Sequence, residues 1–126
     1  MSFRTNLGRV RGLGSVKNGT SHWWAQRITA IALIPLSIWF IFSVVTLVGI
    51  DYSGFKIWLN KPGSVLLMVL FVLALFYHIQ LGLQVVLEDY IHSEKIKIIS
   101  LVINKLLAAF CAISSIIALI KVAFGG

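Results

Sequence analysis

The sequence predicts an all-α integral membrane protein: three transmembrane helices in an up-down-up bundle, led by a short polar N-terminal segment. Three observations predict it. The composition is 59% hydrophobic and only 12% charged, with a mean hydropathy of +0.96, where a soluble domain carries about 25% charged residues. The apolar residues gather into three runs, at about 28–50, 64–87 and 98–123, each long enough for the roughly 20 residues that a spanning helix needs. The basic residues flank these runs, as topology determinants do. The net charge of +7 therefore reads as membrane orientation and not as a nucleic-acid footprint. A length of 126 residues suffices for a single domain covering 1–126. Cys111, the one cysteine, lies inside an apolar run and excludes both an intrachain disulfide and a cysteine-built metal centre.

Residues 1–27 form the lead. Its first part is basic, with Arg4, Arg9, Arg11 and Lys17, and rich in glycine, which disfavours a stable helix; residues 1–22 are expected to be irregular and partly exposed. Gly12-Leu13-Gly14 is too short for a phosphate loop and follows no strand. His22-Trp23-Trp24-Ala25-Gln26-Arg27 comes next. Paired tryptophans beside an arginine mark an interfacial belt, although Arg27 could also meet an anionic group of a buried cofactor.

Ile28 to Ile50 carries no charge and forms the first span. Pro35 frees the carbonyl of Ile31, which a neighbouring helix, Ser37 or water can satisfy. Asp51 to Gly63 is expected as a short loop whose Phe55 and Trp58 lie at the opposite interface. Ser64 to Leu87 is the second span and holds His78, Gln80 and Gln84. Glu88 to Lys97 is the second loop. The third span follows from about Ile98, with Lys105 near its start and Lys121 near its end, both able to snorkel toward headgroups.

Orientation follows from the lysine and arginine counts. Arg4, Arg9, Arg11, Lys17, Arg27, Lys95, Lys97 and Lys105 gather on one side, against Lys56, Lys61 and Lys121 on the other. The N-terminus is predicted to be cytoplasmic. No signal peptide is expected, since the first apolar run is too long for one and lacks a cleavage site. The absence of a presequence favours a bacterial inner membrane over a mitochondrial one.

The chemistry concentrates between Phe76 and His92. On one helix, His78 and Asp89 would share a face, about 20° apart, with a rise of about 16 Å. With Asp89 at a membrane surface, His78 reaches the midplane of a hydrocarbon core about 30 Å thick, where an ionisable group needs a partner. His78 is then either a structural hydrogen-bonding residue or a metal ligand acting through its neutral imidazole. Gly82, one turn on, admits a flat group or another helix. His92, fourteen positions after His78, would lie on nearly the same face, but stands among Ser93, Glu94 and Lys95 and reads as an exposed residue. Glu88 and Asp89 at a helix C-terminus oppose the macrodipole, which asks for another reason for them. Tyr90 beside a carboxylate can donate to a quinone carbonyl at a place that touches both lipid and water. No Ser/His/Asp triad, HExxH motif or phosphate loop is present.

Three features together resemble a known family. They are the order of parts, the His22-Trp23-Trp24-Ala25-Gln26-Arg27-Ile28-Thr29-Ala30 lead into the first span, and His78 followed by Gly82, Gln84, Val85 and Asp89-Tyr90. Over nearly its whole length the chain resembles the small hydrophobic membrane-anchor subunits of succinate dehydrogenase, respiratory complex II. The resemblance implies that His78 is an axial ligand of haem b, with the second ligand from a sister cytochrome b anchor subunit. It implies that Asp89 and Tyr90 border the ubiquinone pocket where the iron–sulfur subunit docks, with Tyr90 the hydrogen-bond donor. It implies that Arg27 lies near the haem propionates or the quinone site. It further implies a flavoprotein subunit in the same complex, and a role in respiratory electron transport and the tricarboxylic acid cycle.

Two rival readings keep the topology. One is a three-helix assembly or anchor protein with no redox role. The other is a homodimeric two-haem cytochrome b that uses His92 as well as His78.

Overall fold

The computed structural model describes residues 15–125, with side chains from Thr20 onward. The glycine-rich stretch before Ser15 lies outside the described residues. Four helices follow in order: α1 (Ser15–Leu47), α2 (Tyr52–Leu59), α3 (Pro62–Tyr90) and α4 (Glu94–Phe124), with no strand among the described residues. Helices α1 (over Thr20–Leu47), α3 and α4 are each long and apolar enough to cross a membrane. The all-α, three-span architecture is as the composition and the apolar runs predict.

Each boundary has a local cause. Gly49 ends α1 with φ +82°, the left-handed conformation that glycine takes most easily at helix C-termini, and the Ile50 N–H bonds the Leu47 carbonyl at 3.1 Å. The Asp51 carboxylate then caps α2 by accepting from the Gly54 N–H at 2.9 Å. Pro62 starts α3, where its missing N–H leaves no bond unmade. Glu94 in the first turn of α4 and Lys121 in its last both suit the helix dipole. Helix α1 runs on through Pro35.

Three expectations are corrected. The irregular lead is helical from Ser15, so Asn18, Gly19 and Thr20 already belong to α1. A single glycine costs a helix about 1 kcal/mol relative to alanine, too little to stop one that the following apolar run propagates. The Asp51–Gly63 connection is not a loop throughout but contains α2. There Trp58 stacks on Trp39 of α1 at 5.9 Å and on Phe55 at 6.0 Å, and Leu59 is fully buried. The helices extend beyond the apolar runs into the second connection. Helix α3 continues through Glu88, Asp89 and Tyr90, and α4 begins at Glu94.

Helix α3 is central, with α1 packed on one side and α4 on the other. Little of the surface is hidden. Among the described residues, the buried apolar side chains are Leu59, Val72, Leu81 and Ala123, while most large apolar residues stay exposed. In water that surface would be untenable. In lipid, whose tails are as apolar as leucine, burial does not drive helices together, and packing and polar contacts between helices do. Phe40 stacked on Phe71 at 4.6 Å joins α1 to α3 in one half of the bundle. Polar side chains join the helices in the other half.

Candidate functional site

The polar layer begins on α1. His22, Gln26 and Thr29 recur at the four- and three-residue spacing of one helix face, and all three meet α3. The His22 Nε2 donates to the Leu81 carbonyl at 3.2 Å. A methyl group at Gly82 would find only Gln26 Nε2 within reach, at 3.9 Å, so Gly82 is where α1 and α3 come close. Gln26 Oε1 is buried without a hydrogen bond, alone in this among the described side-chain polar atoms. Thr29, only 8% exposed, sets its Oγ1 at 2.9 Å from His78 Nδ1.

The layer continues across α3 into α4. Asn104 Nδ2 donates to the Gln80 carbonyl at 3.0 Å, and Gln80 Nε2 donates to Gln84 Oε1 at 3.2 Å. Gln80 is buried. Lys105, expected near the start of the third span, lies in the first half of α4. It is eleven residues into α4, about 16 Å from the helix start, and shares a groove of about 210 Å³ with Tyr77 and Gln80. Its aliphatic stem suits that apolar lining, as a snorkelling lysine's does.

His78 is half-buried in this layer. Its Nδ1 is held by Thr29. Its Nε2 has no hydrogen-bond partner among the described residues and is not one of the sealed, unpartnered atoms. An imidazole with one nitrogen held and the other open is the arrangement that metal-ligating histidines use. No group of three or more His, Cys, Asp or Glu side chains that could hold a metal ion occurs among the described residues. One imidazole with an open nitrogen would suit a group such as haem that needs only a single ligand from this chain.

Because α3 is unbroken from Pro62 to Tyr90, His78 and Asp89 do share one helix, with the rise of about 16 Å expected of eleven positions. Glu88, Asp89 and Tyr90 form its exposed last turn, with no basic residue in that turn to offset the acids. Tyr90 is 77% exposed. His92 is in the connection after α3, exposed, so it does not continue the His78 face. Arg27 lies over the Trp23 ring at 4.9 Å, and Trp23 meets Trp24 edge-on at 5.0 Å. The arginine and the paired tryptophans thus form one cation–π and edge-on cluster on α1.

Thr29, His22, Gln26 and Asn104 were not singled out by sequence as site residues. The signal for the first three was present, as a polar stripe along the start of an apolar span. Their partners on α3 depend on helix rotation, which no local pattern encodes.

Comparison with known proteins follows the same lines. The model of the succinate dehydrogenase/fumarate reductase transmembrane subunit family matches residues 1–119. The succinate dehydrogenase hydrophobic membrane anchor subunit of Rickettsia conorii is 32% identical over 118 residues, 93% of this chain and 94% of the relative. The succinate dehydrogenase membrane anchor subunit of Reclinomonas americana is 32% identical over 96 residues, 73% of this chain and 79% of the relative. The corresponding anchor subunit of Paracoccus denitrificans is 30% identical over 90 residues, 71% of this chain and 70% of the relative. No solved structure matches the chain.

Proposed function

The chain belongs to the succinate dehydrogenase/fumarate reductase transmembrane subunit family, as a multi-pass membrane anchor of an oxidoreductase complex, and from that premise we propose that it supplies one axial ligand of a haem b and part of a ubiquinone-reduction site. His78 Nε2 is the iron ligand. Tyr90 and Asp89 border the quinone, Tyr90 as hydrogen-bond donor and Asp89 as its support. Arg27 serves the haem propionates or the quinone site from the same end of the bundle. The partners are a second, cytochrome b-type anchor subunit that supplies the other haem ligand, an iron–sulfur subunit, and through it a flavoprotein subunit. The whole chain acts as one anchor domain, with its N-terminus on the cytoplasmic side of a bacterial inner membrane.

The observation that carries this reading is the state of His78, with Nδ1 engaged by Thr29 and Nε2 open in the middle of a spanning helix. A purely structural histidine at that depth would be expected to use both nitrogens, because an unsatisfied polar group in lipid costs several kcal/mol.

Bound haem would supply a one-electron redox centre within the bilayer. The residues of this chain do the rest. Thr29 and the α1–α3 contact hold the imidazole at a fixed depth and rotation. Ubiquinone is the substrate, and its reduction takes up two electrons and two protons. The end of α3 suits that need, because Tyr90 stands where lipid and water meet. Its hydroxyl can donate to a quinone carbonyl, and the neighbouring carboxylates can pass protons from the aqueous side. Two acids in an uncompensated last turn are unfavourable for the helix, and proton delivery gives them a reason.

The test is a reduced-minus-oxidised absorption spectrum of the purified complex, wild type against His78→Ala. A b-type signal that is lost or shifted in the variant supports the ligand assignment. A wild-type complex with all subunits but no haem signal refutes it and leaves a bare three-helix anchor.

A further inference from the structure

The Thr29 hydroxyl touches three groups at once. Its Oγ1 is 2.8 Å from the Ala25 carbonyl, 3.0 Å from the Gln26 carbonyl and 2.9 Å from His78 Nδ1. A hydroxyl has one proton to give and lone pairs to receive. The two carbonyls can only accept, so they compete for that proton, and a threonine in a helix commonly gives it to the carbonyl four residues back. The oxygen is then left as an acceptor facing His78. A neutral imidazole completes this arrangement in one way, with its proton on Nδ1 and its free lone pair on Nε2.

We infer that Thr29 is the positioning residue that fixes the tautomer and rotation of His78 and thereby tunes its strength as an iron ligand. The inference rests on the reading of His78 as a haem ligand. The chain of donors runs in one direction, from Nδ1–H to Thr29 Oγ1 and from the Thr29 hydroxyl to the Ala25 carbonyl. Burial of Thr29 at 8% exposure keeps water from replacing it, and in a low-dielectric setting such a chain reinforces itself. An acceptor on Nδ1–H makes the imidazole more basic at Nε2. It therefore favours the ferric over the ferrous state and lowers the reduction potential. The two helices are coupled by the same contact, so α1 helps to set the electronic state of a group carried by α3.

The experiment compares Thr29→Val, which keeps the shape and loses the hydroxyl, with Thr29→Ser, which keeps the hydroxyl, in the intact purified complex. His78→Ala is the reference. The readouts are haem content, the midpoint potential by redox titration and the low-spin paramagnetic resonance of the ferric haem. Thr29→Val is expected to retain haem with a raised potential. The ferric-to-ferrous ratio at a fixed ambient potential should fall severalfold, up to the tenfold that equals about 59 mV for a one-electron couple. Thr29→Ser should return most of the wild-type value. An unchanged potential and resonance in Thr29→Val, with haem altered in His78→Ala, overturns this inference and leaves the haem ligand standing. An unchanged haem in His78→Ala overturns both. If Thr29→Val fails to assemble, magnetic resonance of the wild-type complex with ¹⁵N-labelled histidine decides. Iron bound at Nε2 with a proton on Nδ1 supports the inference, and the opposite assignment overturns it.

Discussion

The His22 ring donates through Nε2 to the main-chain carbonyl of Leu81, 3.2 Å away and 59 positions later in the chain. That carbonyl lies inside α3 and already serves the helix, so His22 uses its second lone pair. The bond ties the entry of α1 to the middle of the central helix, one turn from His78. Its loss should cost about what interhelical hydrogen bonds in membranes are worth, about 0.6 kcal/mol and up to about 1.7. His22→Leu is therefore expected to lower the unfolding temperature of the purified complex modestly. The haem spectrum should stay that of wild type. Loss of haem from this variant would show that this bond is needed to hold α1 against α3 beside His78, and that its role is more than a modest stabilisation.

His92 separates the anchor reading from a two-haem cytochrome. It stands in the connection between α3 and α4, exposed, after the Ile91 N–H has closed the helix on the Leu87 carbonyl at 3.1 Å. The helical phase that would align it with His78 stops before it. His92→Ala should leave haem content per complex unchanged, by absorbance of extracted haem. A fall to half would favour the rival.

The apolar runs made the three spans and their order legible, because lipid imposes a minimum length on each element. Helix α2 was not legible. The segment is short, and its place depends on Trp58 finding Trp39, a contact between distant positions. The start of α1 was hidden by Gly19, whose local preference was weaker than the helix it joined. At the candidate site, His78 and the Asp89–Tyr90 end of α3 could be placed relative to each other from residue counting alone, since both lie on one helix. Thr29 and Asn104 could not be paired with α3 that way. Their partners follow from rotation and register between helices, which only the assembled bundle provides.

Asn104 tests whether polar contacts hold the α3–α4 pair. Its amide donates to the Gln80 carbonyl at 3.0 Å, between helices that bury few apolar side chains. Asn104→Leu keeps the branching and the number of side-chain heavy atoms and removes the bond. The expected loss is again about 0.6 to 1.7 kcal/mol, read as a lower melting temperature in detergent, with haem and quinone reduction retained. Ser115→Ala is the control, because that hydroxyl bonds only the Cys111 carbonyl of its own helix, at 2.7 Å. Equal effects of the two substitutions would show that the interhelical bond carries no special weight.

Tyr90 offers the sharpest separation of chemistry from structure. It is 77% exposed, so removal of its hydroxyl disturbs little packing within this chain. Tyr90→Phe is expected to assemble normally and to oxidise succinate with a soluble artificial acceptor at the wild-type rate. Ubiquinone reduction should fall about tenfold, the effect of losing one hydrogen bond worth about 1.4 kcal/mol in the transition state. Asp89→Asn should impair the same activity, since it keeps the shape of the side chain and removes its capacity to carry a proton. Parallel loss of both activities in Tyr90→Phe would point to failed docking of the dehydrogenase, and the quinone role would then have to be withdrawn from the end of α3.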